Sequence, residues 1–284
     1  MIPEENSNLN SCETGALHFR KRCQATALQT NMPTPIHPVT GFENLPVTAV
    51  FLGRTLDVDV ATDRATALAN LAPHHAAAIA RCGFDDIPLA TAEQVHGDNV
   101  AVVSNDVRPA AARSACSCRL HTSFIQNSSS CNPRQDTLRA AAGRTPLLFE
   151  GADALITNLH GICLGIYVAD CAAVCLYDPV RRAIGLVHSG KKGTELKIVP
   201  KTIAAMNCEY GCLASDIVAS ISPCIRPPHY EVDFAATIRT QLAESGVKQI
   251  YDEQICTFSH PEKYYSYRRE RGLTGRMLAL LAIR

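Results

Sequence analysis

Cys171 sits beside Asp170 inside the run "GIYVADCAAVCLYDP", where a buried strand would otherwise carry only apolar side chains. Two histidines hold similar places: His96 closes "PLATAEQVH" and His188 closes "AIGLVH". Rigid strands that end in His, Cys and His can converge on one point at a sheet edge. Two imidazoles and a thiolate form a normal catalytic zinc set, which leaves a fourth position for water or a substrate atom. Cys171 with His188 also reads as a nucleophile and its base. Taken singly, each residue has a plainer role: a buried Cys packs as a small hydrophobe, and a lone His is more often a satisfied structural group. Asp170 reads as an acid that orients a ligand His or carries a proton, or simply as the cap of a strand-end turn.

The elements that must position these residues follow from pattern. "VTAVFL" is a first strand, and the Ala-rich stretch after it is helical, with Pro73 dividing or starting a helix. "IPLATAEQVHGDNVAVV" reads as two short strands around a turn at Gly97–Asp98. From Gly151 onward "ADALITN", "ICLGIYVA", "AAVCLYD" and "AIGLVH" are four strands in close succession. "TELKIVPKTIAAMNCEYG" is a helix stopped by Gly211, "IVASISPCI" a strand, and "DFAATIRTQLAESG" a helix from Asp233 as N-cap to Gly246. "LTGRMLALLAIR" is expected to close the chain as a helix. Strands joined by tight turns, followed by helices, argue for an α+β sandwich rather than a doubly wound sheet.

Residues 1–44 are polar and without sustained period, and are expected to be an irregular, poorly ordered leader. The domain is then 45–284, interrupted at about 104–147 by a stretch rich in Arg, Ser, Cys and Ala that reads as an inserted surface loop. Within that loop Cys116, Cys118, His121 and Cys131 match no zinc spacing and read as a thiol-rich segment.

With 27 basic and 27 acidic residues, the chain shows no basic excess of the kind that marks a nucleic-acid or membrane partner. The first ten residues are acidic and polar, unlike a secretory signal, and the longest apolar run is broken by Asp170. A cytoplasmic location is expected. Thirteen cysteines, an odd number with several inside apolar runs, fit free thiols better than a disulfide framework.

"QVHG", "GADALIT", "VADCAAVCLYDP", "AIGLVHSGKKGT", "SPCI" with "HYEV", "ICT" and "YYSYRRERGLTGR" occur in the order found in the YfiH-type laccase-domain family. The chain resembles that family, labelled both polyphenol oxidase and purine nucleoside phosphorylase, over roughly residues 91–103 and 150–284. The resemblance implies a single-domain α/β/β/α layered sandwich with mixed sheets, and His96, Cys171 and His188 as ligands of zinc, with copper also associated. Departures stand beside it. Where the family reads "HAGWRGT" this chain reads "HSGKKGT", so Lys191 replaces a Trp in a chain that has none, and Lys192 replaces an Arg and loses its planar fork. The usual Gly-rich N-terminal signature is not visible around residues 48–60, and the insertion has no counterpart in compact members.

The implied activity is zinc-dependent phosphorolysis of purine nucleosides together with adenosine deamination. Zinc lowers the pKa of bound water to about 7, which suits deamination. Phosphorolysis needs a cationic pocket for phosphate, for which Lys191, Lys192 and Arg268 are the candidates, although a solvated Lys pair is an equal reading. Arg269 pairs as readily with surface acids. Tyr230 and Glu231 are placed as strand contacts near the pocket, and Cys224 and Cys256 near the site but outside the ligand set. The alternatives are a copper polyphenol oxidase, a Cys-His hydrolase linked to peptidoglycan maintenance, and a non-catalytic metal-binding protein. Ten histidines without any His-x-His pair make an intrinsic multicopper site hard to build.

Overall fold

Alternation along the strands sorts the apolar side chains into layers. In β8 (Ala172–Asp178), Ala173, Cys175 and Tyr177 enter a core shared with strands of the other sheet. Their neighbours Ala172, Val174 and Leu176 face helices. All seven residues of β8 are buried, as period-two packing between two covered faces requires.

The computed structural model describes residues 33–104 and 146–284. One sheet runs β1 (Ile36–Pro38), β2 (Val47–Leu52), β12 (Met277–Ile283), β7 (Cys163–Val168), β3 (Leu89–Ala92) and β5 (Leu147–Phe149). The other runs β11 (Gln249–Asp252), β10 (Val218–Ile221), β8, β9 (Ala183–Ser189), β6 (Ala154–Thr157) and β4 (Val100–Val102). Both sheets mix parallel and antiparallel pairs. Phe51, Leu164, Met277 and Leu281 from the first meet Ile184, Leu186 and Val218 from the second in the core between them. Helix α1 (Arg64–Arg81) lays Ala78 on the outer side of the first sheet, against Val50, Leu278 and Leu280. Following the short α2 (Lys191–Glu195), helices α3 (Ile198–Tyr210) and α4 (Phe234–Glu244) cover the second sheet with Ile198, Ile203, Phe234 and Ile238. The layering is α/β/β/α, within one compact unit spanning Pro33–Arg284.

Several sequence expectations need correction. The last element is a strand, not a helix: β12 pairs with β2 and β7 at the centre of its sheet, with every residue buried. "MLALLAI" is built from good helix formers, and a run buried on both faces carries no period to overrule them. The two strands around Gly97–Asp98 exist, but β3 and β4 lie in different sheets and form no hairpin. Helix α1 runs unbroken through Pro73, because Ala67, Leu71, His75 and Ala78 anchor both of its halves and Asp63 caps it, its Oδ1 accepting from the Ala65 and Thr66 amides. Part of the stretch read as leader is structured: β1 pairs with β2, and Val39 and Phe42 are buried. Residues 1–32 and 105–145, including the thiol-rich Cys116, Cys118, His121 and Cys131, lie outside the described residues.

Candidate metal centre and its cavity

Three chain segments cross from the first sheet to the second, and all three carry site residues. The β3–β4 link brings His96, the β5–β6 link Asp153, and the β7–β8 link Asp170 and Cys171. His188 comes from the second sheet itself, on the face of β9 that Ile184 and Leu186 turn toward the inter-sheet core. The crossings are tight, and the backbone shows it: Gln94, His96 and Asp170 have φ of 66°, 59° and 80°. Non-glycine residues in that left-handed region persist only where the surroundings hold them. Gln94 is held by its side chain, which donates to the Tyr167 carbonyl and accepts from the Tyr167 amide, stapling the first crossing to β7.

His96, Cys171 and His188 come together. One ligand atom from each lies within 4.8 Å of the other two, the only such group of three or more among the described residues. The imidazoles sit edge to face with centroids 4.9 Å apart. His188 is buried and His96 is exposed toward the opening. Glycine at 190 is required for this approach, because a Cβ there would stand 2.5 Å from Cys171 Sγ.

Asp153 organises the cluster, a role the sequence reading had offered to Asp170. Its Oδ1 accepts from His188 Nδ1 at 2.9 Å and from the His96 amide at 2.9 Å, while Oδ2 accepts from the Gly97 amide at 2.7 Å. That fixes the proton of His188 on Nδ1 and leaves Nε2 free as a donor atom. Asp153 has no solvent exposure. Burial works against its charge, but the bonds from His188 and the two amides win, and its pKa falls below the usual carboxylate range. Burial likewise lowers His188, yet Asp153 and Cys171 outweigh it and raise the imidazole to about 9. Burial raises the Cys171 thiol, and the two imidazoles overcome that and bring it down to about 6. The two groups thus favour each other's charged forms. A thiolate and two oriented imidazoles are the donors that zinc takes, and the spacing needs only a small closure to place all three around one ion.

Asp170 serves the scaffold. Its Oδ1 accepts from Thr257 Oγ1 and its Oδ2 from the Arg268 amide, each at 2.7 Å, so it ties the β7–β8 turn to two later loops. It still lines the cavity in front of the cluster. That cavity is about 540 Å3. Among the described residues its cationic ones are Arg64, Lys191, Arg268, Arg271 and Arg276, its rings Tyr167, Tyr230, Phe234 and Tyr267, and its only carboxylate the doubly bonded Asp170. Of the three cations the sequence reading named for phosphate, Lys191 and Arg268 line the cavity, whereas Lys192 is exposed and does not. Tyr230 lines it from a loop, not a strand, and Glu231 reaches Arg268 at 3.6 Å. Arg269 points away, donating to the Phe258 carbonyl. Cys224 and Cys256 face each other in an isolated bridge outside the ligand cluster. Arg64, Arg271 and Arg276 were missed. Arg271 and Arg276 stand inside the quoted motif "YYSYRRERGLTGR", while Arg64 offers only a charge at a helix start.

The profile of the multi-copper polyphenol oxidoreductase laccase family matches residues 55–235 and 232–284. The chain belongs to this family. Members similar to it carry other names. Mouse purine nucleoside phosphorylase LACC1 is 30% identical over 167 residues, 48% of this chain and 39% of that protein. The purine nucleoside phosphorylase of Bacteroides thetaiotaomicron is 31% identical over 178 residues, 51% of this chain and 66% of that one. The chain thus spans less than two thirds of the length of either relative. Two solved structures share the fold: Bacillus licheniformis hypothetical protein YfiH, with a TM-score of 0.66 at 20% identity, and YlmD from Geobacillus stearothermophilus, with 0.63 at 23%. They cover 89% and 84% of this chain, and 98% and 92% of their own. Two mixed sheets and their helices make one domain, the fold shared with those structures. Among the described residues no helix is long and apolar enough to cross a membrane.

Proposed function

We propose that this laccase-domain chain is a zinc-dependent purine nucleoside enzyme that cleaves nucleosides by phosphorolysis and deaminates adenosine. The observation that carries the reading is one cavity in which the His96–Cys171–His188 cluster adjoins five cationic side chains and four aromatic rings. The names of the similar phosphorylases support it. A volume of about 540 Å3 is within the range of small-molecule sites.

In phosphorolysis a phosphate oxygen bonds to the sugar C1′ while the C1′–N9 bond breaks and its electron pair leaves with the base. Lys191 and the arginines neutralise the phosphate and hold it in line, and Tyr230, Phe234 and Tyr267 offer flat faces to the purine. In deamination the oxygen of water adds at C6 of adenine and ammonia leaves. His96, Cys171 Sγ and His188 Nε2 would hold a zinc ion, which would supply Lewis-acid polarisation and bring the pKa of water to about 7. Asp153 keeps His188 in the tautomer this requires.

The test is incubation of the zinc-loaded protein with adenosine or inosine, with and without phosphate, followed by chromatography. Free base should appear only with phosphate, and inosine should appear from adenosine without it. Absence of both products from metal-replete protein sinks the reading. The cytoplasmic location expected from the sequence goes with it, since nucleosides and phosphate abound there.

One observation favours a second reading. Asp153, His188 and Cys171 also have the order of an acid–base–nucleophile triad, with the thiol's pKa lowered by the imidazoles. Under that reading Cys171 is alkylated rapidly by iodoacetamide in purified protein and hydrolysis survives chelation. Under the leading reading a ligated Cys171 resists alkylation until the metal is stripped.

A further inference from the structure

We propose that Arg64 and Arg276 together form an oxyanion subsite that holds one phosphate group beside the His96–Cys171–His188 cluster. The proposal rests on the phosphorolytic reading above, and it moves the phosphate from the Lys191 loop to a pair of guanidiniums on other elements.

The five cations of the cavity are not equivalent. Arg268 already faces a carboxylate, Glu231, whereas Arg64 and Arg276 are each anchored to backbone carbonyls. Arg276 is half-buried and anchored: its Nη1 donates to the carbonyls of Thr274 and Gly275, each at 2.9 Å, and its guanidinium carbon lies 5.9 Å from the centre of the Tyr267 ring. Arg64, the first residue of α1, donates from Nη2 to the Glu93 carbonyl at 3.2 Å, which ties it to the His96 crossing. Among the described residues neither arginine pairs with a carboxylate. Burial, and after it the charge of Arg64, hold Arg276 below the usual arginine range, while Cys171 and Asp170 pull it the other way. Both arginines line the cavity that His96, Cys171 and His188 also line.

Two like charges, one of them partly stripped of water and neither ion-paired with a carboxylate, make an arrangement that costs stability until an anion arrives. Each arginine spends one terminal nitrogen on backbone carbonyls, so the remaining N–H donors are free. Two planar forks with free donors suit the several oxygens of a tetrahedral phosphate, which a lysine point charge cannot match. The phosphate can be inorganic, as co-substrate, or the phosphoryl group of a nucleoside monophosphate. The co-substrate is the source assigned here.

The experiment uses the zinc-loaded full chain with Arg64→Gln, Arg276→Gln and Arg276→Lys, and Lys248→Gln as an exposed control outside the cavity. Steady-state KM is measured separately for phosphate and for inosine, and the Tm shift is measured with inorganic phosphate and with adenosine monophosphate. Each Gln variant is expected to raise the KM for phosphate about tenfold or more while the KM for inosine stays within about twofold, as loss of a charge-assisted fork to one ligand implies. The Arg276→Lys variant should recover part of the loss. The phosphate-induced Tm rise should shrink in both Gln variants and persist in the control. Unchanged KM and Tm shift in folded variants overturn the proposal, and the exposed Arg64 keeps this decisive should Arg276→Gln misfold. A Tm rise with adenosine monophosphate alone overturns the co-substrate assignment. If no nucleoside is turned over at all, the functional reading fails while the Tm shifts still judge the subsite.

Discussion

Asp153 is wholly buried, carries a charge, and serves three donors with two oxygens: His188 Nδ1 and the amides of His96 and Gly97. One carboxylate therefore sets both the tautomer of His188 and the backbone of His96. Asp153→Asn keeps the shape but replaces one acceptor by an amide donor, which faces a backbone N–H. The expected outcome is a 10–100-fold loss of zinc affinity and about 1–3 kcal/mol of stability, read by competition with a chelator and by denaturant unfolding. Gly190→Ala tests the close approach of the same cluster. Its Cβ would overlap Cys171 Sγ, so weaker zinc binding with a near-normal far-ultraviolet spectrum is expected. That His96, Cys171 and His188 could share a site was legible because each stands out as a polar residue at the end of an apolar run, and the fold brings them together. Asp153 gave the same signal, an acid opening the apolar "ALIT", but nothing in one sequence says which acid faces which imidazole. Asp170, beside Cys171 in the chain, turns to Thr257 and the Arg268 amide.

The elements matter to the site chiefly through the three crossings between sheets. Most strands could be read from their apolar runs, but which sheet each joins could not, because β3 and β4 look like any short hairpin until their partners are known. The strand β12 was hidden for the opposite reason, since burial on both faces erases the alternation that marks a strand. Helix α1 makes a prediction of its own. His75 is buried against Tyr167, its Nε2 has no partner, and burial followed by the charge of His74 lowers its pKa to about 4. Its folded pKa is below its unfolded value of about 6.5, so the unfolded chain takes up more protons between those limits. Stability contributed by neutral His75 is complete above about pH 6.5 and is lost as pH falls toward 4, by up to about 3 kcal/mol. Thermal unfolding at pH 7 and pH 5 should show His75→Phe losing less Tm on acidification than the parent chain. An equal loss would place the acid sensitivity elsewhere.

At the scale of the whole molecule, helices outside and two sheets inside leave one end where three crossings, a buried strand terminus and the loops around Tyr230 and Tyr267 enclose a cationic cavity. The layered architecture was legible as an α+β sandwich from the strand succession, and its details through the ordered motifs shared with laccase-domain proteins. The cavity was not, since Arg64 and Arg276 lie more than 200 residues apart and line one cavity only in the fold. Metal content tests the account most directly. Protein purified without added metal should contain about one zinc per chain, little copper, and none of either after Cys171→Ser or His96→Ala. Stoichiometric zinc that survives both substitutions, or a wild-type chain that takes up no zinc when it is supplied, would contradict it.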